Sequence, residues 1–579
     1  MASDAKGYWQ LDVPALPTGA TYLYRLEDST GHFEEWPDPA SRSQPHGVHG
    51  PSQTVDLASF AWTDQAWQGF DLASAVIYEL HVGTYTPEGT FDGVIAHLDD
   101  LAQLGVTVIE IMPVAQFPGA RNWGYDGVYL YAPQDSYGGA AGLQRLVDAA
   151  HRRGLAVVLD VVYNHLGPEG NYLGKFGRYF TKRYTTPWGE ALNFDGRDSG
   201  PVRDFFIANA LYWLEHYHLD GLRLDAIDGI RDFGAHHVLA ELKEAVKELA
   251  QRTGKPKILI GESDLNDSKV LAPRECGGFA LDAQWSDDFH HALHTLLTGE
   301  STGYYADFGS VEHLAQTLRQ GWFYDGKYSV FRRRKHGNSP KGFSPEHFVV
   351  CIQNHDQTGN RVRGDRLSTL VDAESLKLAA GVVLLSPFVP MLFMGEEYGE
   401  TAPFVYFTSH EDAGLIEAVR KGRREEAIRF GWKHELHDPQ SEATFHVVRL
   451  RHELKNTSPH RELRELYQRL LALRREYGLG HAAQQDVVAY EAAKILVVRR
   501  ETDRASLCMV FHFGEKPASF ALPLPAGDWR IVLDSSLQDA EPLELRSRGA
   551  APRNDEPVTL GLSPRSFLVL ENPHERANS

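Results

Sequence analysis

From about residue 71 onward, short apolar runs of strand length alternate with longer stretches of helical period. Eight runs can be counted, and they are 75–81, 106–113, 156–163, 221–226, 258–262, 279–284, 348–354 and 388–394. Strands that alternate with amphipathic helices predict βα units and a parallel sheet. Eight such units favour a (β/α)8 TIM barrel, since no GxGxxG follows the first strand to indicate a doubly wound sheet.

Both flanks of the predicted barrel are rich in short strands and turns. Residues 1–57 predict a shortened N-terminal β-sandwich domain, because three or so strands are too few to close a complete one. Residues 58–482 are the predicted catalytic barrel, and 483–579 are a predicted C-terminal β-sandwich. An aromatic insertion at 167–198 lacks a helical period, and we expect this long loop to belong to the functional site.

Charge and cysteine usage exclude several classes of protein. The net charge of −20 argues against a nucleic-acid partner, because binding to phosphates requires a basic surface. The three cysteines, Cys276, Cys351 and Cys508, are too far apart for a CxxC metal site or a disulfide framework. The N-terminus lacks a signal-peptide pattern and the chain has no run of about 20 apolar residues, so we expect a cytoplasmic protein without a membrane partner.

Polar and charged side chains follow the predicted strands where barrel enzymes hold their catalytic residues. The third strand ends in Asp160–His165, the fourth at Arg223 and Asp225, the fifth at Glu262, and the seventh continues into 354–356. One acid at a strand end is common and is weak evidence by itself. Several acids at corresponding positions of one barrel converge on one mouth and predict an active site.

Carboxylates at three strand ends, without metal-ligand spacing, suit glycoside hydrolysis. This reaction needs an ionised carboxylate and a protonated carboxyl group, which lie about 5 Å apart in a retaining enzyme. Asp225 beside Arg223 suits the ionised role, although this pair alone could equally be structural. Glu262 follows an apolar strand, which suits a raised pKa. Asp356 could stabilise an oxocarbenium-like charge.

The strand-end segments resemble the four motifs of the α-amylase superfamily, glycoside hydrolase family 13, and the resemblance extends from about residue 20 to the end of the chain. Further segments are similar to the maltooligosyltrehalose trehalohydrolase family, namely 37–42, 44–51, 186–189, 262–267, 353–361 and 393–399. That family hydrolyses the α-1,4 bond next to the terminal trehalose unit of maltooligosyl trehalose and releases trehalose. The resemblance also implies a maltooligosyltrehalose synthase as functional partner.

The resemblance implies a role for each strand-end residue. Asp225 is the expected nucleophile, Glu262 the proton donor and Asp356 the transition-state stabiliser. The expected substrate-binding residues are Arg223, His165, His355, Asp287, Asp288, His290, Gln357 and Asn360. Asp228 stands where this family often has histidine, so its contact with substrate stays open.

Four aromatic residues are candidate sugar platforms: Trp123, Tyr125, Trp188 and Tyr304. Stacking contributes about 1 kcal/mol beyond burial. We expect one of Trp123 and Tyr125 to be such a platform, whereas for Trp188 and Tyr304 plain loop packing is nearly as good an explanation. The histidines near the strand ends lack metal-ligand spacing, so no metal and no cofactor are predicted.

Two other functions remain compatible with these residues. An amylase-like, branching or debranching α-glucan enzyme would use the same three carboxylates on the same barrel. A non-catalytic α-glucan-binding protein could keep the barrel and lose the chemistry, but the presence of Asp225, Glu262 and Asp356 argues against it.

Overall fold

A closed barrel of eight parallel strands forms the centre of the computed structural model, which describes residues 1–4, 7–429, 437–481, 484–537, 543–544 and 557–574. The barrel strands are β1 Ile77–Leu80, β2 Val108–Ile111, β3 Ala156–Val161, β4 Gly221–Leu224, β5 Ile258–Gly261, β6 Ala283–Trp285, β7 Phe348–Val350 and β8 Val389–Phe393. Each lies within one of the eight predicted runs or overlaps it, so the predicted TIM barrel is confirmed.

Helices cover the outside of the barrel. The main ones are α1 Leu98–Leu104, α2 Gly139–His151, α3 Ser199–His216, α4 Val238–Thr253, α5 Asp287–Thr298, α6 Val311–Gln320, α7 His355–Gly359, α8 Ala373–Leu384 and α9 His460–Glu476. Shorter or peripheral helices are Val82–Tyr85, Phe91–Ile95, Leu173–Phe176, Leu367–Leu370, Ala413–Arg429 and Glu442–Val447. None of the helices in the described ranges combines the length and the apolar character needed to cross a membrane.

The side chains that point into the barrel form two layers, an apolar lower layer and a charged upper layer at the carboxyl ends of the strands. The lower layer contains Ile77, Val108, Val158 and Val389, which belong to one buried apolar cluster. Two residues further along, towards the carboxyl ends of β1, β2 and β3, the inward positions carry carboxylates instead. Neighbouring strands place Glu79 beside Glu110 and Asp160 beside Arg223. The charged residues of the site therefore lie directly beside a buried apolar layer of the barrel interior.

The N-terminal region differs from the predicted sandwich. In the described part of residues 1–57, the strands form three separate antiparallel pairs, namely Ala2–Ser3 with Trp9–Gln10, Thr21–Tyr22 with Ser52–Gln53, and Tyr24–Glu27 with Phe33–Trp36. Strands of two to four residues bury too little apolar area to stack as two sheets. The region packs on the barrel instead, for example where the Tyr129 hydroxyl donates to the carbonyl of Val48 across 2.7 Å.

The C-terminal region is a β-sandwich, as predicted. Its large antiparallel sheet contains Gln485–Tyr490, Ile495–Glu501, Ala505–His512, Ser566–Pro573, Arg530–Asp534 and Leu543–Glu544, in that order. A second pair, Ala518–Leu522 with Val558–Leu562, contributes to the same buried apolar cluster as the large sheet. The predicted domain bounds stay a prediction, and the boundary between residues 482 and 483 lies outside the described residues.

The predicted aromatic insertion is a hairpin above the barrel mouth. Its strands are Phe180–Thr186 and Gly189–Leu192, and the turn between them carries Trp188. The hairpin follows β3, so it stands at the carboxyl end of the barrel, where the site is expected.

Candidate active site

Arg223 of β4 is a fully buried cation at the centre of the site. Its Nη1 donates to Asp160 Oδ2 across 2.7 Å and to Asp225 Oδ1 across 3.0 Å. Its Nη2 lies 2.9 Å from Glu262 Oε2, and the guanidinium carbon lies 4.1 Å from the ring centroid of Trp285. Three carboxyl groups around one guanidinium offset the cost of burying its charge. The pair Arg223–Asp225 is therefore part of a larger cluster.

Asp225 directly follows β4 and accepts hydrogen bonds on both carboxylate oxygens. Oδ1 accepts from Arg223, and Oδ2 accepts from Asn164 Nδ2 across 2.8 Å. Its backbone N–H donates to the carbonyl of Val161 across 3.1 Å, which continues the parallel ladder by one residue. These contacts hold the carboxylate as an oriented acceptor, which is what a nucleophile on this strand requires.

The chain turns sharply after Asp225 because Ala226 adopts a left-handed conformation with φ of 35°. A non-glycine residue in this region is strained, and such strain is found at functional sites. The turn directs the Ala226 N–H to Oε2 of Glu262 across 2.7 Å. The residue after the first carboxylate therefore orients the second.

Glu262 at the end of β5 is suited to hold a proton. Burial raises its pKa well above the usual value of 4.5, Arg223 lowers it in part, and the charges of Asp225 and Asp356 raise it further. Among the described residues, Arg223 and Ala226 both contact Oε2. Oε1 is therefore the oxygen available to carry a transferable proton.

Asp356 lies on the short helix α7, which follows β7. The Asn354 side chain caps this helix by accepting from the Gln357 N–H across 2.8 Å. Asp356 Oδ1 accepts from Asn360 Nδ2 across 3.2 Å, and Oδ2 lies 3.4 Å from Nε2 of the buried His355. The side chain of Asp356 is 35% exposed, so it faces the open mouth of the barrel.

A cavity of about 630 Å³ opens beside Asp356. Its lining includes Asp264, Asp287, His291, Glu300, Tyr304, Phe331, Arg332, Gln357, Asn360 and Arg361. Burial raises the pKa of Asp287 to about 7, with further contributions from Asp264 and Asp356. The Tyr304 ring stacks on His291 with centroids 4.8 Å apart. Four of the predicted substrate-binding residues, Asp287, Tyr304, Gln357 and Asn360, therefore line one cavity.

Asp288 and His290 are held by contacts within the protein, and their binding of substrate stays a prediction. Asp288 Oδ2 accepts from Asn266 Nδ2 and from two backbone N–H groups of residues 323 and 324, and His290 bonds to the Ile352 carbonyl and the Tyr305 hydroxyl. Both side chains are buried. Successive residues of α5 point in different directions. Asp287 and His291 line the cavity, whereas Asp288 and His290 hold neighbouring loops.

The aromatic candidates occupy different environments. Trp123 is 3% exposed, its ring lies parallel to Phe404 at 5.3 Å, and its Nε1 donates to the Val405 carbonyl. These contacts place the ring in the core, and its role as a sugar platform stays a prediction. Tyr125 is half-buried, with its hydroxyl bonded to Asp160. Trp188 is 48% exposed. Among the candidates, Trp188 has the largest free ring surface on the mouth side.

The imidazole ring of His165 stacks on one face of the Trp188 ring. The two rings are parallel within 3°, with centroids 4.5 Å apart. His165 also bonds through Nδ1 to Asn164 Oδ1 across 2.5 Å and through Nε2 to the Tyr125 carbonyl across 3.0 Å. Asn164 in turn donates to Asp225, so the aromatic hairpin is connected to the first carboxylate through two side chains.

Asp228 lies in the single 3-10 turn Ile227–Gly229 that follows the strained Ala226. It is half-buried, and burial together with the charge of Asp264 raises its pKa. This places Asp228 on the loop that follows Asp225, at the side of Asp264 and the cavity. Its contact with substrate stays a prediction.

Four buried residues of the site were not assigned a role from the sequence: Glu79, Glu110, Asp160 and Asn164. The signal for the first three is a single carboxylate at an inward position of an otherwise apolar strand, as in Ile77–Leu80 and Val108–Ile111. Burial and the charge of Glu79 raise the pKa of Glu110 well above its usual value. Asn164 lies in the segment Asp160–His165 at the end of the third strand, but its contact with Asp225 depends on the tertiary structure.

One group of residues away from Asp225 could hold a cation. In the described ranges, ligand atoms of His49, Glu169 and Glu411 lie within 4.8 Å of one another. Glu169 already accepts from His410 Nδ1 and from the backbone N–H groups of Glu411 and Asp412. These bonds explain its burial without a metal, and the absence of a required metal stays a prediction.

Comparisons with known proteins agree with this geometry. The family described as "Alpha amylase, catalytic domain" matches residues 37–210. Malto-oligosyltrehalose trehalohydrolase from Saccharolobus solfataricus is 50% identical over 480 residues, covering 83% of this chain and 82% of that protein. The enzyme of the same name from Arthrobacter ramosus is 48% identical over 513 residues, 88% of either chain.

Solved structures show the same fold over almost the whole chain. A putative α-amylase from Salmonella typhimurium has a TM-score of 0.86 and 38% identity, covering 99% of this chain and 94% of that one. A pullulanase from Anoxybacillus in complex with maltotetraose has a TM-score of 0.67 and 20% identity, covering 96% of this chain and 79% of that one, and shows the fold alone.

Proposed function

Because this chain belongs to the malto-oligosyltrehalose trehalohydrolase family and carries an α-amylase catalytic domain, we propose that it hydrolyses the α-1,4-glucosidic bond next to the terminal trehalose unit of maltooligosyl trehalose. The reaction releases trehalose and a shortened maltooligosaccharide. The chain is a glycoside hydrolase. The observation that carries the proposal from the structure is the guanidinium of Arg223, which contacts both Asp225 and Glu262.

Asp225 is the proposed nucleophile. Its carboxylate attacks the anomeric carbon of the maltooligosyl part while the bond to the leaving oxygen breaks. The leaving oxygen belongs to trehalose, because the α-1,4 bond joins the anomeric carbon of the glucan to O4 of trehalose. The hydrogen bonds from Arg223 and Asn164 support this role, since they orient both carboxylate oxygens before substrate arrives.

Glu262 is the proposed general acid and, later, the general base. Its raised pKa supplies a proton at neutral pH for the trehalose oxygen. The carboxylate that remains then accepts a proton from the water that hydrolyses the glycosyl–Asp225 intermediate. The carboxyl groups of Asp225 and Glu262 both contact the guanidinium of Arg223, so they lie close together. This proximity favours the retaining, two-step reaction, because an inverting reaction needs room for a water molecule between the two groups.

Asp356 is the proposed stabiliser of the oxocarbenium-like charge. Its open side chain and its contact with His355 suit a carboxylate that faces the sugar ring in the transition state. The cavity beside it, lined by Asp287, Tyr304, Gln357 and Asn360, provides polar groups for sugar hydroxyls. On the opposite side, the exposed face of Trp188 is the proposed stacking platform.

The test uses two substrates of equal length, each with five glucose units. Maltotriosyl trehalose contains the trehalose end, and maltopentaose does not. We expect chromatography of the products to show free trehalose from the first substrate and little cleavage of the second. Asp225→Asn serves as the inactive control on both.

Other outcomes would identify other functions. Faster cleavage of maltopentaose would make this chain an amylase-like enzyme, and longer, branched products would indicate a branching enzyme. Binding of both oligosaccharides without any product from the wild-type chain would indicate a glucan-binding protein.

We further propose that a maltooligosyltrehalose synthase is the functional partner. The substrate ends in a non-reducing trehalose unit, so another enzyme must first rearrange the reducing end of an α-glucan. Mixing this chain with such a synthase on maltopentaose should release trehalose, and neither enzyme alone should do so. Trehalose release by this chain alone would contradict the proposed order of reactions.

A further inference from the structure

We propose that Glu79 is a positioning residue that keeps the imidazole of His355 doubly protonated, so that a fixed positive charge lies beside Asp356. Glu79 touches neither Asp225 nor Glu262 in the described contacts, and it acts through His355. The proposal rests on the proposed function, because it explains how the third carboxylate of that reaction is held.

Glu79 contacts His355 through both of its carboxylate oxygens. Oε2 accepts the backbone N–H of His355 across 2.9 Å, and Oε1 lies 2.5 Å from the ring nitrogen Nδ1. Both side chains are buried, so neither water nor salt screens the contact. An ionised carboxylate has no proton to donate, so Oε1 can only accept a hydrogen bond from Nδ1. The contact therefore requires a proton on Nδ1.

Tyr125 determines the state of the other ring nitrogen. Its hydroxyl donates to Asp160 Oδ2 across 2.6 Å, and the same oxygen accepts from Arg223 Nη1. The hydroxyl proton is therefore committed to Asp160, and the hydroxyl oxygen accepts from His355 Nε2 across 2.8 Å. With Glu79 on one side and Tyr125 on the other, both ring nitrogens of His355 must be donors, which makes the ring an imidazolium.

The charges around His355 favour the same state. Burial lowers the pKa of His355, but the charges of Asp356 and Glu79 and the hydrogen bond from Glu79 outweigh burial and Arg223, and raise the pKa to about 10. The titratable groups that face it from the packed elements are Glu79 of β1, Glu110 of β2, Tyr125 after β2, Asp160 of β3, Arg223 of β4, Asp356 of α7 and His81 after β1.

The imidazolium has a specific use at this position. Asp356 faces Glu262 and Asp287, and its negative charge contributes to the raised pKa of both. A positive charge 3.4 Å from its Oδ2 offsets this repulsion and directs the carboxylate. A neutral His355 would leave Arg223 as the cation of the cluster and would weaken the hold on Asp356.

Glu79→Gln tests the proposal. In wild type the two N–H groups contact different oxygens of Glu79. The amide keeps an oxygen at only one of these positions, so its oxygen can face the backbone N–H while its NH2 group donates to an unprotonated Nδ1. The substitution should therefore lower the pKa of His355, so that the ring loses its proton within the pH range over which activity is measured. Because the charged form exists below that pKa, kcat/KM should stay close to wild type at lower pH and fall as the pH rises through it. One unit above, about a tenth of the molecules carry the charge, and kcat/KM should be about tenfold lower.

Nitrogen-15 spectra of the full chain, labelled at histidine, measure the protonation state directly. The His355 signals are assigned by their loss in a His355→Gln variant. In wild type, both ring nitrogens should stay in the protonated range across the pH range of activity. In Glu79→Gln, Nδ1 should leave that range over the same pH interval in which kcat/KM falls.

Glu110→Gln is the matched control. Glu110 lies beside Glu79 on the next strand and is equally buried. Burial and the charge of Glu79 raise its pKa and favour its uncharged form, which an uncharged amide resembles. We expect His355 signals in the protonated range and no new fall of kcat/KM with rising pH, whatever the absolute activity of this variant.

A pH-independent loss of activity in Glu79→Gln, with both nitrogens of His355 still protonated, would overturn the proposal and leave Glu79 a packing role. A wild-type chain that fails to release trehalose would refute the proposed function. The spectra require no substrate, so the protonation state of His355 can be measured independently of that result.

Discussion

Arg223 donates a hydrogen bond of 3.0 Å to Asp225, two residues further along the chain on the same side of the barrel wall. The contact is possible because alternation along a strand returns to the same face after two residues. Parallel pairing then brings Asp160 of β3 beside Arg223, and Glu262 at the end of β5 lies within reach of its second nitrogen. A pattern of three residues on one strand thus becomes the centre of a site built from three strands.

Asp225→Asn should abolish turnover and preserve substrate binding. The amide fills the same space but cannot attack the anomeric carbon, and we expect a loss of at least about 1,000-fold in kcat. Calorimetric titration with maltotriosyl trehalose should still show binding. Activity equal to wild type would remove Asp225 from the role of nucleophile.

Glu262→Gln should separate acid catalysis from nucleophilic attack. We expect hydrolysis of maltotriosyl trehalose to fall by about 100-fold or more, because the trehalose oxygen needs a proton to leave. Fluoride needs none, so the first turnover of α-maltotriosyl fluoride should remain fast in Glu262→Gln and be lost in Asp225→Asn. Equal loss on both substrates in Glu262→Gln would contradict the assignment.

The alkaline limb of the wild-type pH profile should follow Glu262. Because its folded pKa is raised well above 4.5, the acid keeps its proton at pH values where an ordinary glutamate has lost it, and kcat/KM should fall as the pH rises through that pKa. The measurement is kcat/KM on maltotriosyl trehalose against pH. A profile that already falls between pH 4 and 5 would show that the essential acid has an ordinary pKa.

Trp188→Ala should raise KM about fivefold and leave kcat nearly unchanged, since a sugar stacked on the ring contributes about 1 kcal/mol beyond burial. Trp9→Ala is the control, because Trp9 is 66% exposed on the first strand pair and belongs to no part of the site described above. Equal KM values in both variants would reduce Trp188 to a packing role on His165.

His151→Gln should destabilise the barrel most at acidic to neutral pH. His151 bridges Asp64 and Asp220 across 2.9 Å each at the end of the barrel opposite the site, and although burial alone would lower its pKa, these partners raise it. A raised folded pKa stabilises the fold below pH 6.5, and this contribution is lost as the pH rises through the folded pKa. Breaking a buried pair costs about 3 kcal/mol. Thermal unfolding should show a difference from wild type that narrows with rising pH.

The order of strands and the three carboxylates could be predicted from the sequence because both depend on local patterns. A short apolar run between two helical stretches is typical of a buried strand, and in a barrel of parallel strands its last residues lie at the carboxyl end. Asp225, Glu262 and Asp356 are therefore close together as a consequence of strand order alone. The N-terminal strands were too short and too exposed for the same reasoning to predict how they pair.

The tertiary structure alone decided which side chains face the cavity and which hold it together. Asp287 and Asp288 are adjacent in sequence, yet the first lines the cavity and the second is buried against backbone N–H groups. Trp123 and Trp188 are both aromatic residues above the barrel, but the first is in the core and the second is open.

The sequence by itself determined the barrel, its mouth and the residues proposed to perform the chemistry, because periodicity and strand ends are local properties of the chain. It could not determine that Glu79 contacts His355, since 276 residues separate them and only closure of the barrel, with β8 beside β1, brings β1 next to the loop after β7. The protonation state of a buried histidine depends on such distant partners, so it is a property of the fold.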